Sequence, residues 1–350
     1  MIEKIILGTY TRRESKGIYT IDLDTEKEEL ANLSLAVEEN SPTYVAKSKA
    51  GNLYTVTSVD GLGGAGAYDK DFHFLNAVTE SGAPLCYVAV DEARQLLYGA
   101  NYHKGEVNVY HILGDGELKA ADSIFHQEAT GPHKNQDHAH VHYTDLTPDQ
   151  RLVVCDLGTD RVYTYDVSEN GKLNLVTTFT AEPGTGPRHL VFHPNGQFAY
   201  LFGELDSTVR VLSYNKETGA FEELQKISTL PEELQKISTL PEEFDGENGG
   251  AAIRISNDGK FLYASNRGHN SIAVFAVFED GSHIQNKQII STEGDFPRDF
   301  ALDPSNNFVV CANQNTDNLT LYRRHPETGL LELLKKDVYV PECVCVYFDR

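Results

Sequence analysis

Basic side chains and one carboxylate recur in matching sequence contexts along the chain. Three of them stand at the start of an apolar run: His142, Arg188 and Arg298. His140 lies two residues before His142, and Glu204 and Arg267 each follow a second apolar run. Guanidinium groups favour phosphate and carboxylate, while imidazole and carboxylate groups commonly transfer protons. These residue types predict an anion site with a proton-transfer group beside it.

The overall charge makes this basic set unusual. The chain has 30 Lys and Arg residues against 52 Asp and Glu residues, for a formal net charge of −22. Each Arg or His alone could simply bind a loop carbonyl, but a buried cluster of like charges is costly unless an anion neutralises it. A charge of −22 also repels phosphate backbones and anionic lipid, so we expect no nucleic-acid or membrane partner. The oligomeric state stays open.

A histidine-rich run raises the question of a metal. His138, His140 and His142 alternate, so they would share one face of a strand, and His133 precedes them. A metal site needs three or four converging ligands, and only Glu204 stands as a carboxylate at a matching repeat position. We therefore expect no metal and no cofactor. The Gly-rich run at residues 61–66 is interpreted as a hairpin turn, because no helix follows it.

The elements that must position these residues form an internal repeat. Its clearest copy runs from Gly186 to Tyr200: a turn, an apolar strand, a Pro-Asn-Gly turn and a second strand. A third strand and a Gly-bearing turn to a fourth follow most copies, and the copies recur about every 45 residues, the period of propeller blades. Copies begin near Thr43, Leu85, His142, Arg188, Ala251, Arg298 and Glu342. The repeat predicts an all-β protein, one seven-bladed β-propeller domain over residues 1–350 with four antiparallel strands per blade.

The two ends of the chain supply incomplete copies. The C-terminal copy stops after one strand at residues 343–347, while residues 5–10 and 17–21 provide strands that lack an opening strand. We expect both ends to share the seventh blade, which closes the ring and removes an open sheet edge. Residues 222–231 are also repeated word for word at residues 232–241. One copy should pair in the sheet and the other should form a loop.

Blade topology brings two repeat positions to one mouth of the channel, the start of the first strand and the end of the second. We expect two groups of residues to converge there. The first contains His140, Arg188, Glu204 and Arg267. The second would surround the bound ligand: His138, His142, Asn101, Asn266, Arg298 and Asn313.

The cysteines and the N-terminal residues bear on the compartment. Five cysteines form no C-x-x-C motif, are odd in number and lie in apolar runs, so they are interpreted as reduced core residues. The apolar run Ile5–Leu7 is too short for a signal peptide or membrane span. We expect a cytoplasmic protein.

These motifs carry a resemblance to a known family. The matching elements are Leu7-Gly8-Thr9-Tyr10-Thr11, His138-Ala139-His140, Gly186-Pro187-Arg188-His189, Glu204, Ser265-Asn266-Arg267-Gly268, Phe296-Pro297-Arg298 and Ala312-Asn313-Gln314. With them the chain resembles the lactonase family of seven-bladed propellers, which includes propeller-type 6-phosphogluconolactonases and carboxymuconate lactonizing enzymes. The resemblance extends over essentially the full length.

The resemblance implies a catalytic set of His140, Arg188, Glu204 and Arg267, and an activity that needs no metal or cofactor. Hydrolysis of a small anionic sugar lactone, foremost 6-phosphogluconolactone, would use Glu204 or His140 to deprotonate water and the arginines to stabilise the oxyanion. Reversible lactonization of a carboxylated diene is the alternative reaction. A non-catalytic scaffold that binds a protein partner is the alternative outside enzymology.

Overall fold

A computed structural model describes residues 1–230, 247–278 and 280–349. Its strands, numbered in chain order, form seven four-stranded sheets. Blade I contains β28 (Cys343–Phe348), β1 (Ile2–Thr9), β2 (Gly17–Asp24) and β3 (Glu29–Glu38). Blade II contains β4 (Val45–Lys47), β5 (Leu53–Val59), β6 (Leu62–Tyr68) and β7 (Phe74–Ser81). Blade III contains β8 (Tyr87–Asp91), β9 (Leu96–Asn101), β10 (Glu106–Ile112) and β11 (Leu118–Phe125).

The other four blades have the same order. Blade IV contains β12 (Val141–Leu146), β13 (Leu152–Asp156), β14 (Arg161–Val167) and β15 (Leu173–Thr180). Blade V contains β16 (Pro187–Phe192), β17 (Phe198–Gly203), β18 (Thr208–Asn215) and β19 (Ala220–Ser228). Blade VI contains β20 (Gly249–Ile255), β21 (Phe261–Arg267), β22 (Ser271–Val277) and β23 (Ile284–Ser291). Blade VII contains β24 (Pro297–Leu302), β25 (Phe308–Asn313), β26 (Asn318–Arg324) and β27 (Leu331–Tyr339).

The predicted seven-bladed propeller and its ring closure are both confirmed. In blade I, β28 pairs antiparallel with β1, with Leu7 opposite Val346 and Ile6 opposite Tyr347. Strand β1 pairs in turn with β2. The two ends of the chain thus complete one sheet, so the ring needs no open edge.

The duplicated segment is described only in its first copy. Residues 222–228 belong to β19, which pairs along β18 and completes the four strands of blade V. The second copy, at residues 232–241, lies outside the described residues, so its predicted loop structure stays a prediction.

Burial follows position within the blade. The second strand is sandwiched between neighbouring blades and is buried throughout in β9, β13 and β25. The fourth strand lies at the rim and is largely exposed or half-buried, as in β11. The core therefore consists of the inner strands, and the apolar runs that defined the repeat are the strands that face other blades.

Tyrosines of the second strands tie neighbouring blades together. The hydroxyls of Tyr200 and Tyr263 each donate over 2.8 Å to a glycine carbonyl in the outer turn of the next blade, that of Gly281 and Gly329 respectively. Gly329 has a φ of 71° and faces the Phe261 ring so closely that a Cβ would lie 2.1 Å from it. Only glycine fits such a turn. These ties set each blade against the next at a fixed spacing.

Candidate active site

A cavity of about 490 Å³ opens at one mouth of the channel, and residues of all seven blades line it. Its walls combine the starts of first strands with the residues that follow second strands. The strand pairing explains this, because Pro187 at the start of β16 lies opposite Gly203 at the end of β17. The same pairing joins Pro297 to Asn313 in blade VII. The predicted convergence of these two repeat positions at one mouth is the geometry observed.

Three first strands carry a one-residue bulge at the cavity. The pairing of first and second strands skips His142 in β12, Arg188 in β16 and Arg298 in β24. A bulged residue leaves the ladder, and its side chain is turned relative to the regular alternation. This local irregularity aims an imidazole and two guanidinium groups at the channel.

Glu204 joins two of the arginines. Its Oε2 lies 2.9 Å from Nε of Arg188 and 2.9 Å from Nη2 of Arg267. Both guanidinium groups are also held by carbonyls of β20: Arg188 Nη1 donates to Ala251 over 2.6 Å, and Arg267 Nη2 donates to Gly250 over 2.8 Å. Side chains that are both buried and multiply bonded keep one orientation, so the carboxylate has a fixed position at the cavity wall.

Backbone contacts bring blades V and VI close enough for this arrangement. The Glu204 N–H donates to the Gly186 carbonyl, and the Glu204 carbonyl accepts from the Gly250 N–H, both over 2.9 Å. A Cβ at Gly250 would lie 2.7 Å from the Phe202 ring and 2.9 Å from the Gly203 carbonyl. Glycine at position 250 is therefore required for the close approach that seats Glu204.

The electrostatics of the cluster are dominated by positive charge. Burial and the neighbouring Arg267 lower the pKa of Arg188 to about 9. Burial alone would raise the pKa of Glu204, but Arg267 and Arg188 hold it below its ordinary value. Burial, with Arg188 and Arg298, lowers the pKa of His142 well below its ordinary value. At neutral pH the carboxylate is therefore charged and the imidazole is neutral.

A second pair of cations lies at the mouth of the cavity, over the ring of Tyr10. The guanidinium carbon of Arg12 lies 3.8 Å from the ring centroid and that of Arg298 lies 5.6 Å from it. Within the described part of the chain, no carboxylate lies within 4.0 Å of the guanidinium nitrogens of either arginine. Two unpaired cations on one aromatic ring form a ready subsite for an anion.

Arg12 and Tyr10 also line the cavity, and neither was predicted from the sequence to bind a ligand or to react. Tyr10 follows β1, which is the second strand of the shared blade, and Tyr102 follows β9. Both therefore occupy the position equivalent to Glu204. The repeat could therefore have indicated Tyr10 as it does Tyr102, whereas Arg12 belongs to the loop after β1 and has no equivalent in the repeat.

His140 lies outside the cavity lining and His142 within it. The His140 ring stacks on Tyr102, with centroids 4.2 Å apart and planes 19° from parallel. Its Nδ1 lies 2.9 Å from the Tyr102 carbonyl and its Nε2 lies 2.8 Å from Asp137 Oδ1. His138 is also outside the lining and points its Nε2 at the His103 carbonyl. The structure thus places His142 in the cavity lining, whereas His138 and His140 lie behind the cavity wall.

The three predicted ligand-binding asparagines lie behind the cavity as well. Each is buried at the end of a second strand and donates from its amide nitrogen to the carbonyl of a connection between blades. Asn101 donates to Ala83 over 2.8 Å, Asn266 donates to Thr229 over 3.1 Å, and Asn313 donates to Thr292 over 3.1 Å. None of the three lines the cavity, because each amide nitrogen has a repeated structural role. In two of the copies the next residue, Tyr102 or Arg267, lines the cavity instead.

Cys86 also lines the cavity, but its thiol is a poor nucleophile. Burial raises the pKa of Cys86 to about 12, and its Sγ lies 3.6 Å from the His142 carbonyl. Since the thiolate is the reactive form, this environment does not favour Cys86 as a nucleophile.

The opposite end of the channel holds a second cavity, of about 460 Å³. The two cations in its lining are paired: Arg254 lies 2.7 Å from Asp299, and Lys47 is paired with Asp349. The cavity that contains Glu204 is therefore the one with unpaired positive charge. In the described part of the chain, no helix has the length and apolar character that a membrane crossing requires.

Comparison with known proteins agrees with this geometry. The sequence matches the family described as "Lactonase, 7-bladed beta-propeller" over residues 4–348. It is 41% identical to the 6-phosphogluconolactonase of Bacillus subtilis over 349 residues, which are 98% of this chain and 97% of that protein. It is 52% identical to an uncharacterized protein of Lactococcus lactis subsp. cremoris, over 99% of both chains.

Two solved structures have the same architecture. A protein of Lactobacillus plantarum is 51% identical and superposes with a TM-score of 0.95 over 100% of both chains. The periplasmic gluconolactonase PpgL of Pseudomonas aeruginosa is 28% identical, with a TM-score of 0.90 over 99% of both chains. The blade count, the closure of the ring and the full-length match lead to one conclusion: this chain belongs to the lactonase family of seven-bladed β-propellers.

Proposed function

We propose that this protein hydrolyses a sugar lactone that carries a phosphate, with 6-phosphogluconolactone as the foremost substrate. The observation that carries the proposal is the pairing of two subsites in one cavity. One is Glu204 between Arg188 and Arg267, and the other is the unpaired Arg12–Arg298 pair over Tyr10. A cavity of about 490 Å³ suits a ligand of sugar-phosphate size.

The first subsite would perform the chemistry. The Glu204 carboxylate takes a proton from water, whose oxygen attacks the lactone carbonyl carbon. The carbonyl oxygen becomes an oxyanion, and the guanidinium groups of Arg267 and Arg188 stabilise it. Collapse breaks the bond between the acyl carbon and the ring oxygen, which leaves as a hydroxyl after it receives the proton from Glu204. Of the two general bases that the sequence suggested, Glu204 is the one in the cavity.

The second subsite would select the substrate. Phosphate binds guanidinium groups through paired hydrogen bonds, and Arg12 and Arg298 supply two such groups at the mouth. Asn40, Ser41 and Ser58 line the same cavity and offer hydrogen bonds to sugar hydroxyls. A phosphorylated sugar lactone could therefore occupy both subsites at once.

The relatives and the thiols support the assignment. The Bacillus subtilis relative is a 6-phosphogluconolactonase and the Pseudomonas structure is a gluconolactonase, so both names concern sugar lactones. All five cysteines are free, which fits the reducing cytoplasm proposed as the location. The reaction as written needs no cofactor.

A substrate panel tests the proposal. Purified protein would be assayed against 6-phosphogluconolactone, glucono-lactone without phosphate, and a carboxylated muconate, with Glu204→Gln as the inactive control. We expect the highest kcat/KM for the phosphorylated lactone and loss of that rate in Glu204→Gln. Turnover of the muconate alone would favour the lactonizing alternative, and no turnover of any compound would favour the scaffold alternative.

A further inference from the structure

We propose that Asp137, His138 and His140 form a binding site for a divalent transition-metal ion of the zinc class. Asp137 Oδ1 lies 2.8 Å from His140 Nε2 and 3.0 Å from His138 Nδ1. The three candidate ligand atoms all lie within 4.8 Å of one another. This site is distinct from Glu204 and its arginines, and it does not depend on the proposed lactonase activity.

The backbone orients both rings. His140 Nδ1 lies 2.9 Å from the Tyr102 carbonyl, and His138 Nε2 lies 3.0 Å from the His103 carbonyl. A carbonyl oxygen can only accept, so the ring nitrogen that faces it carries the hydrogen. In each neutral ring the other nitrogen then has a lone pair, and that nitrogen is the one directed at Asp137.

When both imidazole rings are neutral, three hydrogen-bond acceptors therefore face one another. The lone pairs of His138 Nδ1 and His140 Nε2 meet the carboxylate of Asp137 with no hydrogen between them. A proton on one ring would link only one of the two nitrogens to the carboxylate, and protons on both rings would set two positive imidazoliums side by side, with centroids 4.0 Å apart. A single metal cation accepts all three lone pairs at once.

The ligand set favours the zinc class over other common ions. Two imidazole nitrogens and one carboxylate oxygen suit Zn²⁺ and its neighbours, whereas Ca²⁺ and Mg²⁺ prefer oxygen ligands alone. Bonds of about 2.0–2.1 Å in a tetrahedron require ligand atoms about 3.3 Å apart, close to the spacing around Asp137 Oδ1. Histidine ligands that donate their second N–H to a backbone carbonyl are typical of protein metal sites. A water molecule would complete the coordination.

The position of the site indicates what the ion would stabilise. Both orienting carbonyls belong to Tyr102 and His103, which line the cavity, and the His140 ring stacks on Tyr102. A bound ion would therefore restrain Tyr102 and His103 from the side that faces away from the cavity. From the sequence we expected no metal, because only Glu204 stood as a carboxylate at a matching repeat position, and Asp137 lies in the insertion before β12.

Metal titration of the chelator-treated, tag-free chain tests the proposal. We expect one equivalent of Zn²⁺ to bind by calorimetry, and one equivalent of Co²⁺ to give the visible absorption of a low-coordinate site. Asp137→Asn and His138→Ala should each weaken binding by at least about tenfold, because losing a ligand costs no less than losing an outer-shell partner. Both side chains are well exposed, so these variants should fold; the buried His140 is left intact.

A second Asp–His pair provides the matched control. His73 Nδ1 lies 3.0 Å from Asp69 Oδ2 at an exposed turn and has one imidazole rather than two. His73→Ala should leave the affinity unchanged. The proposal is overturned if no stoichiometric site appears, or if Asp137→Asn and His138→Ala bind as tightly as the parent. Nuclear magnetic resonance showing both rings protonated at neutral pH, with Zn²⁺ causing no shift, would also overturn it.

Discussion

Among the described residues, Glu204 is the one carboxylate that pairs with both Arg188 and Arg267. Its pKa is kept below the ordinary value by Arg267 and Arg188 despite burial. A low pKa makes a weaker base, but it guarantees the ionised form at neutral pH. The two arginines thus lower the basicity of Glu204 but keep its carboxylate charged and fixed. In the proposed mechanism they also provide the oxyanion site beside it.

Arg267 and Arg298 should give different kinetic effects if the two subsites have different roles. Arg267→Ala removes a donor to the developing oxyanion, so we expect kcat to fall by about 10²–10³-fold. Arg298→Ala removes a contact made equally in the ground and transition states, so we expect mainly a higher KM. Steady-state kinetics with the phosphorylated lactone measure both. Unchanged turnover in Arg267→Ala would contradict the oxyanion role.

Two buried histidines predict a pH dependence of stability. Burial and Arg188 lower the pKa of both His142 and His189 well below the ordinary value of 6.5. Below pH 6.5 the unfolded chain therefore binds protons that the folded chain does not, so the unfolding free energy falls as the pH falls. We expect His189→Gln to reduce this slope by up to about 1.4 kcal/mol per pH unit, the limit reached when the unfolded histidine is fully protonated. Urea unfolding between pH 7 and 5.5, in a buffer without phosphate, measures it; equal slopes would contradict the neutral state of His189.

Strand bulges and one N-terminal loop position the basic side chains of the cavity. The N-terminal loop that carries Arg12 is held by Glu342 from the far end of the chain. The buried Glu342 carboxylate accepts from the backbone N–H groups of Arg12, Arg13 and Ser15 over 3.0, 2.9 and 3.1 Å. A charged acceptor with three backbone donors keeps one loop conformation.

Replacing Glu342 should therefore weaken the mouth subsite without touching Glu204. In Glu342→Ala we expect a higher KM for the phosphorylated lactone, little change in kcat, and a smaller effect on a lactone without phosphate. Glu14→Ala is the control, because Glu14 is exposed in the same loop and its carboxylate binds the Tyr339 hydroxyl. A fall in kcat with unchanged KM would contradict a positioning role for Glu342.

The whole molecule is a closed ring whose blades repeat one local unit. Blade V already has four strands when β19 ends at Ser228, so its sheet is complete without the second copy of the duplicated decapeptide. Lengthening a connection costs little free energy, since the loop-closure entropy grows slowly with length. We therefore expect the ring to tolerate the extra copy.

Removing ten residues should leave the protein nearly unchanged. Because the two copies are identical, deleting residues 222–231 or 232–241 produces the same chain. We expect the melting temperature to change by only a few degrees and kcat/KM to stay within about threefold, as for a loop whose length alone changes. A Gly/Ser replacement of residues 232–241 separates length from sequence. Loss of folding in the deletion, with folding retained in the replacement, would show that the spacing is structural.

The sequence alone determined the blade count, the closure of the ring and the two repeat positions that meet at one mouth. The blade count and the two repeat positions follow from contacts between strands that are adjacent along the chain, so a local repeat specifies them. The closure of the ring joins the two ends of the chain, and the incomplete copies at those ends predicted it.

Only the tertiary structure decided which side chains at those positions face the cavity. A single bulged residue reverses the alternation of a strand, which is why His142 faces inward and His140 does not. The meeting of Arg12 with Arg298, and of Asp137 with His138 and His140, depends on loops outside the repeat. Such contacts are set by packing among all seven blades, and no local pattern in the sequence encodes them.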